Sequence, residues 1–182
     1  MKHALVVGGT GMLARASLWL LDQGYHVSII ARNPGRMDQL IEQTNFKNQV
    51  TPLVVDYKDN NALQKKVHET IAKNGAIDLV VAWIHSTAPA ALEIIVKEIS
   101  VTKDDWELFH VLGSSSNLNE IKREVGVPEG YSYYQIRLGF VIEGNRSRWL
   151  THGEISNGVI EAIQKKNKIF TVGQIDNWEK RP

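Results

Sequence analysis

The stretch Leu5-Val6-Val7-Gly8-Gly9-Thr10-Gly11-Met12-Leu13-Ala14 decides the fold. Gly9, Gly11 and Ala14 fit G-x-G-x-x-G/A, where small residues allow a tight turn, close approach of a pyrophosphate to the backbone, and close packing of a helix on a strand. The same letters also read as Gly8-x-x-Gly11-x-x-Ala14. A short β-type run from Ala4 to Val7 precedes the turn. A helix starting near Met12 follows it, with apolar residues at Leu13, Ala16, Leu20 and Leu21. The positive end of that helix and its unpaired N–H groups then face the phosphates of a dinucleotide. Gly8, Gly9, Thr10, Gly11, Met12 and Leu13 are therefore expected to hold a cofactor. The plainer alternative is an ordinary strand-to-helix turn.

Working outward, apolar runs alternate with amphipathic ones. Strands are expected at Tyr25 to Ala31, Val50 to Val55, Ile77 to Ile84, Trp106 to Leu112, Tyr133 to Ile142 and Lys168 to Val172. Between them, helices are expected at Arg36 to Gln43, Ala62 to Lys73, Pro89 to Ile99, Leu118 to Val125 and Ile155 to Gln164. Strands apolar on both faces and alternating with helices argue for a parallel sheet covered on both sides. The expectation is a three-layer, doubly wound α/β domain with strand order 3-2-1-4-5-6 and room for a seventh strand at the edge.

Composition narrows the function. The 182 residues suit a single domain over 1–182, and 43% apolar content agrees with a globular core. A net charge of +1 offers no field for nucleic acid or an anionic membrane, so a small molecule is the expected partner. The absence of cysteine removes disulfides, thiolate catalysis and Cys-ligated zinc, and no metal site is expected. The chain opens on Met1-Lys2-His3 and a strand, and no apolar run reaches the ~18 residues of a membrane span. A cytoplasmic location is the expectation.

The end of the second strand bears on cofactor choice. An acidic residue there would hold a ribose 2′-hydroxyl, whereas an arginine accommodates a 2′-phosphate. The sequence is Ile29-Ile30-Ala31-Arg32-Asn33, with Arg36 close behind and no carboxylate at the strand end. Arg32 offers a planar bidentate donor, so NADP(H) is favoured over NAD(H), with Asn33 and Arg36 beside it. The alternative is a solvated loop arginine. Asp56 ends strand three with Tyr57 next to it, and these suit the adenine side. Asp56 serves equally well as a turn or helix cap.

Together, Gly8-Gly9-Thr10-Gly11, Arg32-Asn33-Pro34 and Asp56 after strands one, two and three resemble an atypical short-chain dehydrogenase/reductase. The resemblance implies an NAD(P)-binding Rossmann fold over most of the chain. It also implies a Tyr-x-x-x-Lys pair on a long helix after strand five, the lysine lowering the tyrosine's pKa for proton transfer. Tyr131 is followed four residues later by Gln135 and Tyr133 by Arg137, and the segment between strands five and six is too short for that helix. It is also the helix through which many relatives pair, and a homo-oligomer stays open.

Other groups then fall at the carboxyl ends of the strands, where ligands of such sheets bind. Strand four ends Trp83-Ile84-His85-Ser86 and strand five Gly113-Ser114-Ser115-Ser116. Trp83 is expected at the cofactor. His85 is expected to move a proton, with Ser114 or Ser115 hydrogen-bonding a substrate carbonyl. The alternatives are a loop or ribose contact for His85 and a helix cap for the serines. Asn145 to His152 reads as a lid loop bearing Arg146, Arg148 and Trp149, while Thr151 and Glu154 fit a capping box. Aromatic residues from Trp106 to Trp149 line a pocket or, by default, fill the core. Two functions follow: an NADP(H)-dependent oxidoreductase without the usual pair, or a non-catalytic NADP(H)-sensing regulator. A dehydratase or isomerase that retains its nucleotide comes third.

Overall fold

The computed structural model describes residues 1–126 and 129–182. Its elements run β1 (His3–Val7), α1 (Ala14–Asp22), β2 (His26–Ala31), α2 (Pro34–Glu42), β3 (Val50–Val54), α3 (Asn60–Asn74), β4 (Leu79–Ala82) and α4 (Ala91–Ser100). They continue with β5 (Trp106–Leu112), α5 (Leu118–Val125), β6 (Tyr131–Leu138), β7 (Phe140–Glu143), β8 (Arg146–Trp149), α6 (His152–Lys165) and β9 (Ile169–Val172).

A parallel seven-stranded sheet has the order β3-β2-β1-β4-β5-β6-β9. β1 explains the layering. All five of its residues are buried, with Ala4 and Val6 in the core under α1 and α6, and Leu5 and Val7 in the core under α3 and α4. A strand that sends apolar side chains both ways must be covered on both faces. Pro52, which has no N–H for a ladder, sits on the edge strand β3. Asn33, Asp59 and Asn117 cap α2, α3 and α5 with side-chain oxygens, and Thr151 with Glu154 forms the expected capping box on α6. Helix α1 has no such cap.

The expected seventh edge strand is β9. The expected sixth strand is wrong in extent: the Tyr133 to Ile142 run divides at Gly139. Gly139 N–H donates to Val172, and Phe140 exchanges backbone hydrogen bonds of 2.9 Å with Gln174. A Cβ on Gly139 would collide with the Gln174 main chain, so the chain leaves the sheet there. It turns at Gly144 (φ +60°) and returns as the antiparallel β7-β8 hairpin. The segment expected as an open lid loop is thus mostly a hairpin strand and a helix cap. Apolar residues at 140–142 serve a strand in either arrangement, so periodicity did not separate the two. Likewise α1 begins at Ala14, two residues later than expected, because the turn extends through Leu13.

At the amino ends of the strands a buried polar chain has a fixed direction. The Gly75 carbonyl only accepts, so His3 Nδ1–H donates to it (2.8 Å) and Nε2 accepts from Ser28 Oγ (2.8 Å). Ser28 in turn accepts from Thr70 (2.7 Å), which accepts from Asn74 (2.9 Å). This network holds β1, β2 and α3 together opposite the ligand end. Burial pushes His3 down from the ordinary imidazole value. Burial and the neighbouring His3 and Lys73 do the same to His26. On β5, burial alone brings His110 to about 4.

Two outcomes are expected. Because these rings are neutral in the fold, the unfolded chain binds protons first as pH drops below 6.5. Their contribution is complete above that value and is lost on going down toward 4, by about 3 kcal/mol for His110 alone. Urea midpoints measured from pH 7.5 to 4 should fall accordingly, and a flat profile would contradict the neutral-imidazole assignment. Second, a Cβ on Gly158 of α6 would run into the Val172 side chain on β9. Gly158→Ala should therefore cost about 1–3 kcal/mol in urea unfolding, part of it recovered in the double variant with Val172→Ala.

Candidate functional site

The glycine turn is shaped by what a side chain would strike. Gly8 adopts φ +84° with its missing Cβ facing the Trp83 carbonyl at 3.3 Å. A Cβ on Gly9 would lie 2.6 Å from Ile29 Cγ2 and 3.0 Å from Ser17 Oγ, so α1 comes this close to the sheet only over glycine. Gly11, by contrast, faces open space. Among the described residues, the amides of Thr10, Gly11, Met12 and Leu13 have no hydrogen-bond partner, and these are the groups that an anion at the uncapped α1 terminus would take. An open face at Gly11 and a row of uncommitted donors fit a pyrophosphate. The Leu13 side chain is fully buried in the core, which leaves its backbone as its part in any such contact.

Sequence reading missed Ser156. Its buried hydroxyl, on α6, donates to the Met12 carbonyl (2.6 Å) and accepts from Ala16 N–H (3.3 Å), fastening the turn to a helix more than 140 residues away. No local signal marks it, since a serine in a helix is unremarkable until its neighbour is known.

Beyond β2, Arg32, Asn33 and Arg36 are all exposed. Asn33 is occupied as the α2 cap, accepting from Arg36 N–H at 3.1 Å. Neither guanidinium forms an ion pair among the described residues. Asp56 uses one carboxylate oxygen to close a turn on Lys58 N–H (3.0 Å), the plainer of its two expected roles. Tyr57 is half-buried, and its hydroxyl accepts from the His85 amide at 3.1 Å, joining the ends of β3 and β4.

The other half of the site lies beyond β4 and β5. His85 is exposed, and Thr87 N–H donates to its Nδ1 at 3.2 Å. A neutral His85 therefore carries its proton on Nε2, outward. Trp83, His85, Ser115 and Ser116 meet at the rim of a cleft of about 880 Å³ between α4 and α5, whereas Ser114 stands outside that lining. The serines do not cap α5; Asn117 does, accepting from Glu120 N–H at 3.1 Å. Ser116, which was not singled out, reaches the cleft. Arg148 is committed to Glu143 (2.9 Å) and Glu154 (2.7 Å), so it braces the hairpin against α6 rather than awaiting a ligand. The hydroxyls of Tyr131 and Tyr133 lie on β6, buried below the strand ends, and stacked pairs Trp106–Tyr131 and Phe109–Tyr134 fill the core. Among the described residues no cluster of His, Asp and Glu suits a metal ion, and no helix is long and apolar enough to cross a membrane.

Comparison with known proteins fits this geometry. A family profile described as short chain dehydrogenase matches residues 2–108. No curated protein matches the sequence. A Brucella melitensis structure, a short-chain dehydrogenase/reductase of the glucose/ribitol dehydrogenase type, superimposes with TM-score 0.73 at 11% identity, over 96% of this chain and 95% of that one. YwfH, an NADPH-dependent reductase involved in bacilysin biosynthesis, gives 0.75 at 13%, over 95% and 99%. A Serratia marcescens short-chain dehydrogenase/reductase gives 0.73 at 15%, over 96% and 98%. Those likenesses speak for the fold, and the profile speaks for the lineage from the first strand through β5. This chain belongs to the short-chain dehydrogenase family, whose oxidoreductases carry NAD or NADP on a Rossmann fold.

Proposed function

We propose that the chain is an NADP(H)-dependent oxidoreductase acting on a small organic carbonyl or alcohol, one domain serving both cofactor and substrate. The observation that carries the reading is the pair of unpartnered guanidiniums, Arg32 and Arg36, at a β2 end that lacks a carboxylate. Two unpaired cations there suit a 2′-phosphate and leave a bare 2′-hydroxyl without its usual acceptor. The NADPH dependence of the structurally similar YwfH accords with it. Gly8 to Leu13 would hold the pyrophosphate, Asn33 would keep the arginine loop in place, and Asp56, Tyr57 and Trp83 would border the bound dinucleotide.

When bound, the nicotinamide supplies or takes the hydride. In the reducing direction the protein must place the substrate oxygen and deliver a proton to it. As an imidazolium, His85 would give its Nε2 proton to that oxygen and be left as the neutral ring, which is exposed to water for reprotonation. Ser115, on the cleft lining, would hydrogen-bond the substrate oxygen, which charges as hydride adds. A second reading, a regulator that binds NADP(H) without turning it over, draws on the tyrosines: the hydroxyls of Tyr131 and Tyr133 are directed into the fold beneath β6 rather than at the strand ends.

NADPH should raise the melting temperature more than NADH does, a tenfold affinity difference corresponding to about 1.4 kcal/mol, and Arg32→Glu should remove the preference. Equal shifts in the unmutated protein would overturn the cofactor assignment. His85→Ala should leave NADPH affinity intact and lower NADPH oxidation with a panel of carbonyl and quinone substrates by about 10²-fold or more. Lost NADPH binding would instead make His85 a ribose contact, and binding without turnover of any panel member would favour the regulator.

A further inference from the structure

His110 sits on β5 and lines the α4–α5 cleft from below, only 8% exposed. The chain of bonds behind it settles which nitrogen carries the proton. Gln135 Nε2 donates to the Leu118 carbonyl at 2.9 Å, which fixes the amide's orientation, and it also donates to Tyr133 Oη at 3.3 Å. Among the described residues, His110 Nδ1 at 2.8 Å is then the acceptor left for the Tyr133 hydroxyl proton, so Tyr133 donates to it. The imidazole proton therefore rests on Nε2, which has no partner among the described residues and yet is not among their enclosed, unsatisfied polar atoms. A buried, uncharged N–H donor thus opens into the cleft.

We propose that this cleft binds a neutral, largely apolar small molecule, through a carbonyl oxygen or ring nitrogen that accepts the Nε2–H of His110. The volume of about 880 Å³ is that of a small-molecule pocket, and Leu92 and Val96 of α4 face Ile121 and Val125 of α5 across it. Helix α5, one wall of the cleft, is eight residues long. Charge selects against an anion: the one lysine on the wall, Lys97, is paired with Glu93 at 2.8 Å, and Glu124 on the opposite wall repels negative charge. The His110 N–H on the floor calls for an acceptor atom, which a simple cation lacks. Burial holds His110 neutral and Tyr133 protonated near neutral pH, so the donor persists there. Because His85 and Ser115 stand at the rim, the oxidoreductase reading makes this molecule the substrate; binding itself does not rest on that reading.

The test uses the full chain without cofactor, with histidine ring nitrogens labelled for NMR. Quinoline and 1-indanone are the neutral probes with an acceptor, naphthalene and indane the matching hydrocarbons, and 1-naphthoate the anion. Quinoline and indanone should shift the His110 ring resonances and bind at least tenfold more tightly than their hydrocarbons, and naphthoate should bind more weakly than naphthalene. His110→Phe should abolish the difference between quinoline and naphthalene. Leu92→Trp, at a half-buried cleft position, should block all the probes while leaving the NADPH thermal shift unchanged. No His110 response to either acceptor probe, equal affinity for probe and hydrocarbon, or probe binding that survives Leu92→Trp would overturn the proposal. The NADPH shift reports separately on the cofactor reading, so failure of one is distinguishable from failure of the other.

Discussion

The close approach of helix α1 to the ends of β1 and β2 at Gly9 governs the rest. With Ile29 Cγ2 2.6 Å from where a Cβ would stand, any larger residue would push the helix off the sheet. Pushing it off would strain the bond that Ser17 makes to the Gly9 carbonyl (3.3 Å) and the one that Ser156 makes to Met12 (2.6 Å). Beside this close approach, the amides of Thr10 to Leu13 have no hydrogen-bond partner among the described residues. Helix α1, like α4, lacks a side-chain cap, and it is the one that follows the glycine turn with these unpartnered amides.

The two ends of the sheet divide the work. At the amino ends, His3, Ser28, Thr70 and Asn74 satisfy one another in a closed direction set by the Gly75 carbonyl. At the carboxyl ends, unpartnered cations and amides, the rim serines and His85 stand at element termini with few internal bonds. Fully satisfied buried networks fix one arrangement, whereas unsatisfied polar groups at a surface are free to meet something else. The cleft beside α5 extends this contrast into the interior, where His110 is part of its lining.

Much of the fold was legible because it rests on local rules. Runs apolar on both faces marked the central strands, Pro52 is tolerated at the edge, and Asn33-Pro34 and Thr151 with Glu154 marked helix starts. The division of strand six was not legible. It depends on Gly139 lying against Gln174, a backbone contact between segments 35 residues apart, and the continuous apolar run at residues 140–142 suits a strand in either arrangement. Within the site, the turn and the arginines could be found by position after a strand. Ser156, Ser116 and the His110–Tyr133–Gln135 chain could not, since their meaning lies in which neighbours they meet.

By itself the sequence determined the parallel sheet, its strand order, the glycine turn between β1 and α1 and the missing Tyr-x-x-x-Lys pair. All of these follow from periodicity and from residue identities at fixed spacings. Tertiary structure alone decided that Arg148 is consumed by Glu143 and Glu154, that Asn117 rather than the serines caps α5, and that His110 carries its proton toward a cleft. A hydrogen bond or an ion pair commits a side chain only when its partner is within reach, and that reach is set by packing between segments distant in the chain.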